Sequence, residues 1–144
     1  MRVAVVLTLS CLAVLPARAQ AIEFGRPSYE LVTVATQVFF PTASPGTANE
    51  GTCLVLNTSG VPVKVRMEVA VVYADGRAER LSRIQDPGVL EPDGGFELSV
   101  FFAIPPSTPL GPAQFTCGVS AQSLVTRKEH EGETSIAPFE IAAP

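Results

Sequence analysis

Tryptophan is absent from this 144-residue sequence, tyrosine occurs twice and histidine once. Each shortage excludes a chemistry. A cupredoxin-type copper site needs two histidines and a free thiolate, and His130 stands alone. Two cysteines with one distant histidine fall short of a zinc ligand set. A serine triad would have to use His130 with Glu129 or Glu131, and Ser120 or Ser123 as nucleophile; adjacent residues on a charged turn cannot hold a base and its orienter in fixed geometry. Carboxylates for glycoside cleavage must be set apart by rigid elements, whereas the acids here fall mostly in turns and at outward strand positions. No catalytic residue is therefore assigned.

Long apolar runs are also missing. The longest, residues 3–15, holds 13 residues, against about 20 for a helix that spans a bilayer. Charged residues make up 17% of the chain, and the net charge is −4. With no basic excess there is no electrostatic footprint for nucleic acid or for an anionic membrane surface. Asp75, Asp86, Glu91 and Asp93 sit in turns, yet no loop has the dense alternating acids of a calcium site, so neither a metal nor a cofactor is assigned.

The first nineteen residues have the layout of a secretory signal. Arg2 gives the positive start, residues 3–15 the apolar segment, and Ala17-Arg18-Ala19 a small-x-small cleavage site. Cys11 follows Thr8-Leu9-Ser10, a poor lipobox. We expect residues 1–19 to be a signal peptide and 20–144 one domain, with no membrane span after cleavage. Loss of Arg2 and Arg18 takes the net charge from −4 to −6. It also removes Cys11, leaving Cys53 and Cys117 in an oxidising compartment, where they should pair. For a separation of 64 residues, chain entropy predicts roughly 4 kcal/mol of stabilisation.

Thirteen prolines, eleven glycines and short apolar runs rich in Val, Phe and Thr predict strands separated by turns. Residues 29–40 form the first strand region, 42–49 a loop, and 51–57 a strand carrying Cys53. From Val61 to Tyr73 the odd positions are Val61, Val63, Val65, Met67, Val69, Val71 and Tyr73, with Lys64, Arg66 and Glu68 between: period two, one face buried and one wet. Asp75-Gly76 supplies a hairpin turn, and 77–84, with Arg77, Arg80 and Arg83, reads as a charged edge strand. Residues 85–95, with Pro87, Gly88, Pro92, Gly94 and Gly95, read as a connection between sheets. Phe96, Leu98, Val100, Phe102 and Ile104 alternate with polar residues, as do Phe115, Cys117 and Val119. A final strand lies near 136–141. Asn57-Thr58-Ser59 is a glycosylation sequon or a turn.

About seven strands, with cysteines on the second and the penultimate, predict an all-β, immunoglobulin-like antiparallel sandwich. Residues 56–63, 90–95 and 104–117 resemble secreted bacterial immunoglobulin-like domains of the adhesion, or CARDB-like, kind. Without tryptophan, Met67 or Val69 must pack on the disulfide, and Phe115 occupies the position of a tyrosine corner without its hydroxyl. The resemblance implies a non-enzymatic module for protein binding, or a structural or adhesive role, at the cell envelope or outside the cell, its partner another envelope or extracellular protein. The tip Arg127, Lys128, Glu129, His130 and Glu131 is the candidate binding loop, since loops project from a rigid frame. The alternative is a small-ligand or glycan-binding module with Tyr29, Tyr73 and Phe101 as stacking groups.

Overall fold

The computed structural model describes residues 31–81, 85–127, 129–130 and 134–144. Two sheets pack face to face. The smaller has β1 (Val32–Val38), β3 (Ala48–Asn57) and β7 (Gly95–Ala103) in the order β1-β3-β7, all antiparallel. The larger runs β2 (Thr42–Ala43), β10 (Thr134–Ile141), β8 (Gly111–Ser123), β4 (Val63–Val72) and β5 (Ala78–Arg80). There β6 (Gln85–Leu90) shares the outer edge of β4 with β5, and β9 (Glu129–His130) pairs with β8 beyond the end of β10.

The strands form where period-two apolar residues can be buried on one side. On β4, Val63, Val65, Met67, Val69 and Val71 are sealed, while Arg66 between them faces solvent. Ala113, Phe115, Cys117, Val119 and Ala121 do the same on β8. Between the sheets, Cys53 on β3 and Cys117 on β8 form a disulfide with a Cα–Cα distance of 6.1 Å. Val69 lies directly across from Cys117 on the neighbouring strand. The core also holds three phenylalanines in contact: Phe102 stacks on Phe115 at 6.0 Å and meets Phe139 at 6.0 Å. Gly51 on β3 lets the Phe115 ring approach, for a Cβ there would lie 2.4 Å from two ring carbons.

Two buried asparagines shape the strand ends. Asn57 donates from Nδ2 to the carbonyls of Val61 and Leu90, both at 2.9 Å, and its Oδ1 accepts from Ser59 N and Oγ. One side chain thus joins the end of β3 to the start of β4 and the end of β6. The sequon is a structural clasp, its amide nitrogen enclosed and occupied. Asn49 accepts from Phe40 N at 3.0 Å and donates to Phe40 O at 2.9 Å, replacing a ladder partner just where the chain leaves β1. The carbonyl of Pro41 then accepts from Glu140 N, and β2 lies parallel to β10 in the other sheet.

The connection expected at residues 85–95 is half strand. β6 pairs with β4 through a register shift, with Gly88 at φ 86° and its N–H bonded to Asp86 Oδ1. Proline and glycine mark a bulged edge strand here; at an edge the missing proline N–H faces away from the ladder. Only residues 91–94 cross between the sheets. The stretch expected as a loop at 42–49 contains β2 and the start of β3.

Candidate functional site

The hairpin after β8 is built on Ser123. Its buried Oγ accepts the N–H groups of Val125 and Thr126, and its carbonyl accepts that of Arg127, closing a tight turn. Arg127 is exposed and adopts φ 56°, an unusual left-handed conformation for a side chain of its size. Glu129 and His130 resume pairing opposite Gln122 and Ala121. Lys128 and Glu131 lie outside the described residues, as do Tyr29, Arg83 and the whole of 1–19. Leu124 and Val125 project from this turn at 44% and 65% exposure, so the described part of the tip pairs two aliphatic side chains with one cation.

Ser120 and Ser123, weighed above as nucleophiles, face opposite sides of β8: Ser120 outward and Ser123 inward. Among the described residues, no three of His, Cys, Asp and Glu come together as metal ligands. Asp75 and Asp86 each accept the N–H two residues on, and Asp86 also faces Lys64 at 3.7 Å. On the outer face of the larger sheet, small residues at Ala70 and Gly118 leave an open depression of about 470 Å³, flanked by Arg66 and Glu68. Glu68 is engaged there by Arg80.

Of the three stacking groups of the glycan reading, Tyr29 lies outside the described residues, and the other two face differently. Tyr73 is 3% exposed: its hydroxyl donates to Glu79, and the Arg77 guanidinium covers its ring at 5.2 Å. Burial first, then the Glu79 carboxylate, holds its phenol above the ordinary value, against a smaller lowering by Arg77. Phe101, by contrast, is 76% exposed on the outer face of the smaller sheet.

Phe101 has company that sequence reasoning missed. It pairs with Glu50 on β3, and Glu50 accepts through its carbonyl from Phe39 N at 2.8 Å on the other side. Phe39, 67% exposed, and Phe101 therefore flank half-buried Glu50 in one row across β7, β3 and the bend that follows β1. Phe40 meets Phe39 edge-on at 4.7 Å, and Asn49 locks the Phe40 backbone. Part of the signal was present: in the adjacent pair Phe101-Phe102 on β7, period two turns Phe101 outward and Phe102 inward, whereas Phe39 and Phe40, in the bend after β1, are both exposed. Gly51, beside Glu50, meets Phe115. Eight residues of β8, roughly 26 Å, separate that ring from Ser123, so aromatic row and hairpin occupy opposite ends of the sandwich.

These features define an immunoglobulin-like β-sandwich, and known structures agree. The PapD-like (ASH) domain 7 of human CEP192 superposes with a TM-score of 0.53 at 19% identity, covering 85% of this chain and 92% of that domain. The alkylpurine DNA glycosylase AlkC of Pseudomonas fluorescens has a TM-score of 0.55 at 14% identity over 81% of this chain, which spans 32% of that enzyme. The CARDB domain of the PF1109 protein from Pyrococcus furiosus matches at 0.48 and 14% identity, covering 81% of this chain and 91% of that one. No protein-family model and no curated protein matches the sequence.

Proposed function

We propose that this chain is an exported, non-enzymatic immunoglobulin-like module that binds another protein of the envelope or extracellular space, with residues 1–19 removed as its signal. The observation that carries this reading is the aromatic row on the smaller sheet. Two large apolar side chains exposed beside each other on a disulfide-pinned frame mark a contact surface, because soluble proteins keep such clusters small unless they use them. The Cys53–Cys117 bridge fits an oxidising compartment. The tip at Arg127, Lys128, Glu129, His130 and Glu131 is proposed as a second contact at the far end, where Leu124 and Val125 add apolar area.

A photo-crosslinking residue placed at Phe101, in the source's own envelope or medium, should give a discrete adduct. The same group at Gln114, exposed on the other sheet, should not. Equal labelling from both positions, or none from 101, would reject the smaller sheet as the contact face. Of the two described aromatics weighed as sugar platforms, Phe101 is exposed and Tyr73 is buried.

A further inference from the structure

Charge is segregated between the two sheets. The described cations are Lys64, Arg66, Arg77, Arg80 and Arg127, and all belong to the larger sheet or its hairpins. β1, β3 and β7 contain no basic residue; their only charges are Glu50 and Glu97. Among the described residues, the Glu50 carboxylate makes no ion pair, whereas Glu68 and Asp86 on the larger sheet each have one. Glu50, only partly exposed, thus sits between two exposed aromatic residues with no cation paired to it among the described residues.

Its geometry selects one kind of cation. Phe39, in the bend just past β1, and Phe101 on β7 lie on either side of Glu50, their backbones two strand spacings or roughly 9.5 Å apart. A flat guanidinium entering over Glu50 can set a face against each ring while its N–H fork meets the carboxylate, combining cation–π stacking with a charge-assisted hydrogen bond. An ammonium is more strongly hydrated and has no planar face to stack. The Phe39 side of the slot is already ordered, by the Phe40 ring and by the Asn49 clasp behind it.

We propose that Phe39, Glu50 and Phe101 form a clamp for an arginine side chain presented by a partner protein. This rests on the protein-binding reading above and names the chemistry that its surface recognises. The anionic smaller sheet is the complementary face for such a basic segment.

The test uses the full exported chain, labelled with 15N, and a capped Gly-Arg-Gly-Arg-Gly peptide as probe. Its lysine and citrulline counterparts serve as comparisons. The arginine peptide should shift the amides of Phe39, Glu50 and Phe101 saturably. Glu50→Gln and Phe101→Ser should each weaken binding at least tenfold, with the remaining amides unchanged. The lysine peptide should bind several times more weakly, and the citrulline peptide should not bind. Glu140→Gln removes an exposed acid from the larger sheet and should have no effect.

Absence of saturable shifts at millimolar peptide would overturn the clamp, as would equal loss with Glu140→Gln, which indicates unspecific attraction. Shifts at the same amides on concentrating the protein alone would also overturn it, because the occupant would then be a second copy. Crosslinking from position 101 separates the two proposals: an adduct without arginine-peptide binding removes the clamp and leaves the contact face standing.

Discussion

Replacing Gly51 with alanine tests the packing of the buried phenylalanine cluster. The added Cβ would lie 2.4 Å from Cδ2 and Cε2 of Phe115 and 2.6 Å from Cζ. Carbon atoms rest at about 3.5–4.0 Å, so the overlap is about 1 Å or more at three atoms together. The ring has little freedom to yield. It is fully buried, stacked on Phe102, and flanked across the sheet by Val71 and Ala137. Relief must come from an off-rotamer ring or a local parting of the sheets, at about 3 kcal/mol, the upper part of the usual range for overpacking. Alanine's smaller unfolded-state entropy returns less than about 1 kcal/mol. Against a typical stability of about 5–15 kcal/mol, the net loss should lower the melting temperature by roughly 10 °C. Urea titration followed by circular dichroism measures it. Gly118→Ala is the control, since its Cβ meets nothing closer than Glu68 O at 3.9 Å; it should be neutral or slightly stabilising. Phe115→Leu should relieve part of the Gly51→Ala loss, making the pair less harmful than the sum of the singles. If Gly51→Ala and Gly118→Ala unfold within about 0.5 kcal/mol of each other, the reasoning about this contact is wrong.

Cys53→Ser with Cys117→Ser should cost about 2–5 kcal/mol in the same titration, and reduction of the wild type should reproduce the loss. Asn57→Ala removes the side-chain partner of the Leu90 carbonyl and of the Ser59 N–H and one of two donors to the Val61 carbonyl, which keeps the Ser59 hydroxyl; about 3 kcal/mol is expected, with Ser59→Ala milder because it removes only the hydroxyl bonds. In a glycosylating host, mass spectrometry of the folded fraction should find Asn57 unmodified. Tyr73 has a phenol pKa raised on folding, so above the unfolded value near 10 the unfolded chain releases its proton first. Stability from this group is complete below that pH and declines as pH rises through the folded value; Tyr73→Phe should flatten that decline in melts between pH 9 and about 11.

Much of this fold is legible in the sequence because its strands are half buried. The odd positions from Val61 to Tyr73 and the even ones from Phe96 to Ile104 announce their faces, and Cys53 and Cys117 are the pair that remains if Cys11 is set aside with the expected signal. That same parity places Tyr73 on the inward face, which contradicts its use as a stacking group. Residues 85–90 were obscured because proline and glycine carry the same local signal in a turn and in a bulged edge strand. The two asparagine clasps are illegible for a different reason: Asn57 is fixed by the carbonyl of Leu90, 33 residues away, and local sequence contains no trace of that bond. The row Phe39, Glu50, Phe101 comes from three segments whose register only the folded sheet supplies, although period two along β7 turns Phe101 outward.

The bridge between β3 and β8 also governs how the domain responds to tension along its chain. It joins residues 64 apart, so the segment between them cannot lengthen while the bond is intact. At about 3.4 Å per residue, that withholds roughly 220 Å of contour from any extension. Only the chain outside the bridge can be drawn out: β1, β2 and β3 as far as Thr52 on one side, and β8 from Gly118 with β9 and β10 on the other. A tether that includes this domain therefore has a short, fixed reach in an oxidising medium and a much longer one once the bond is reduced.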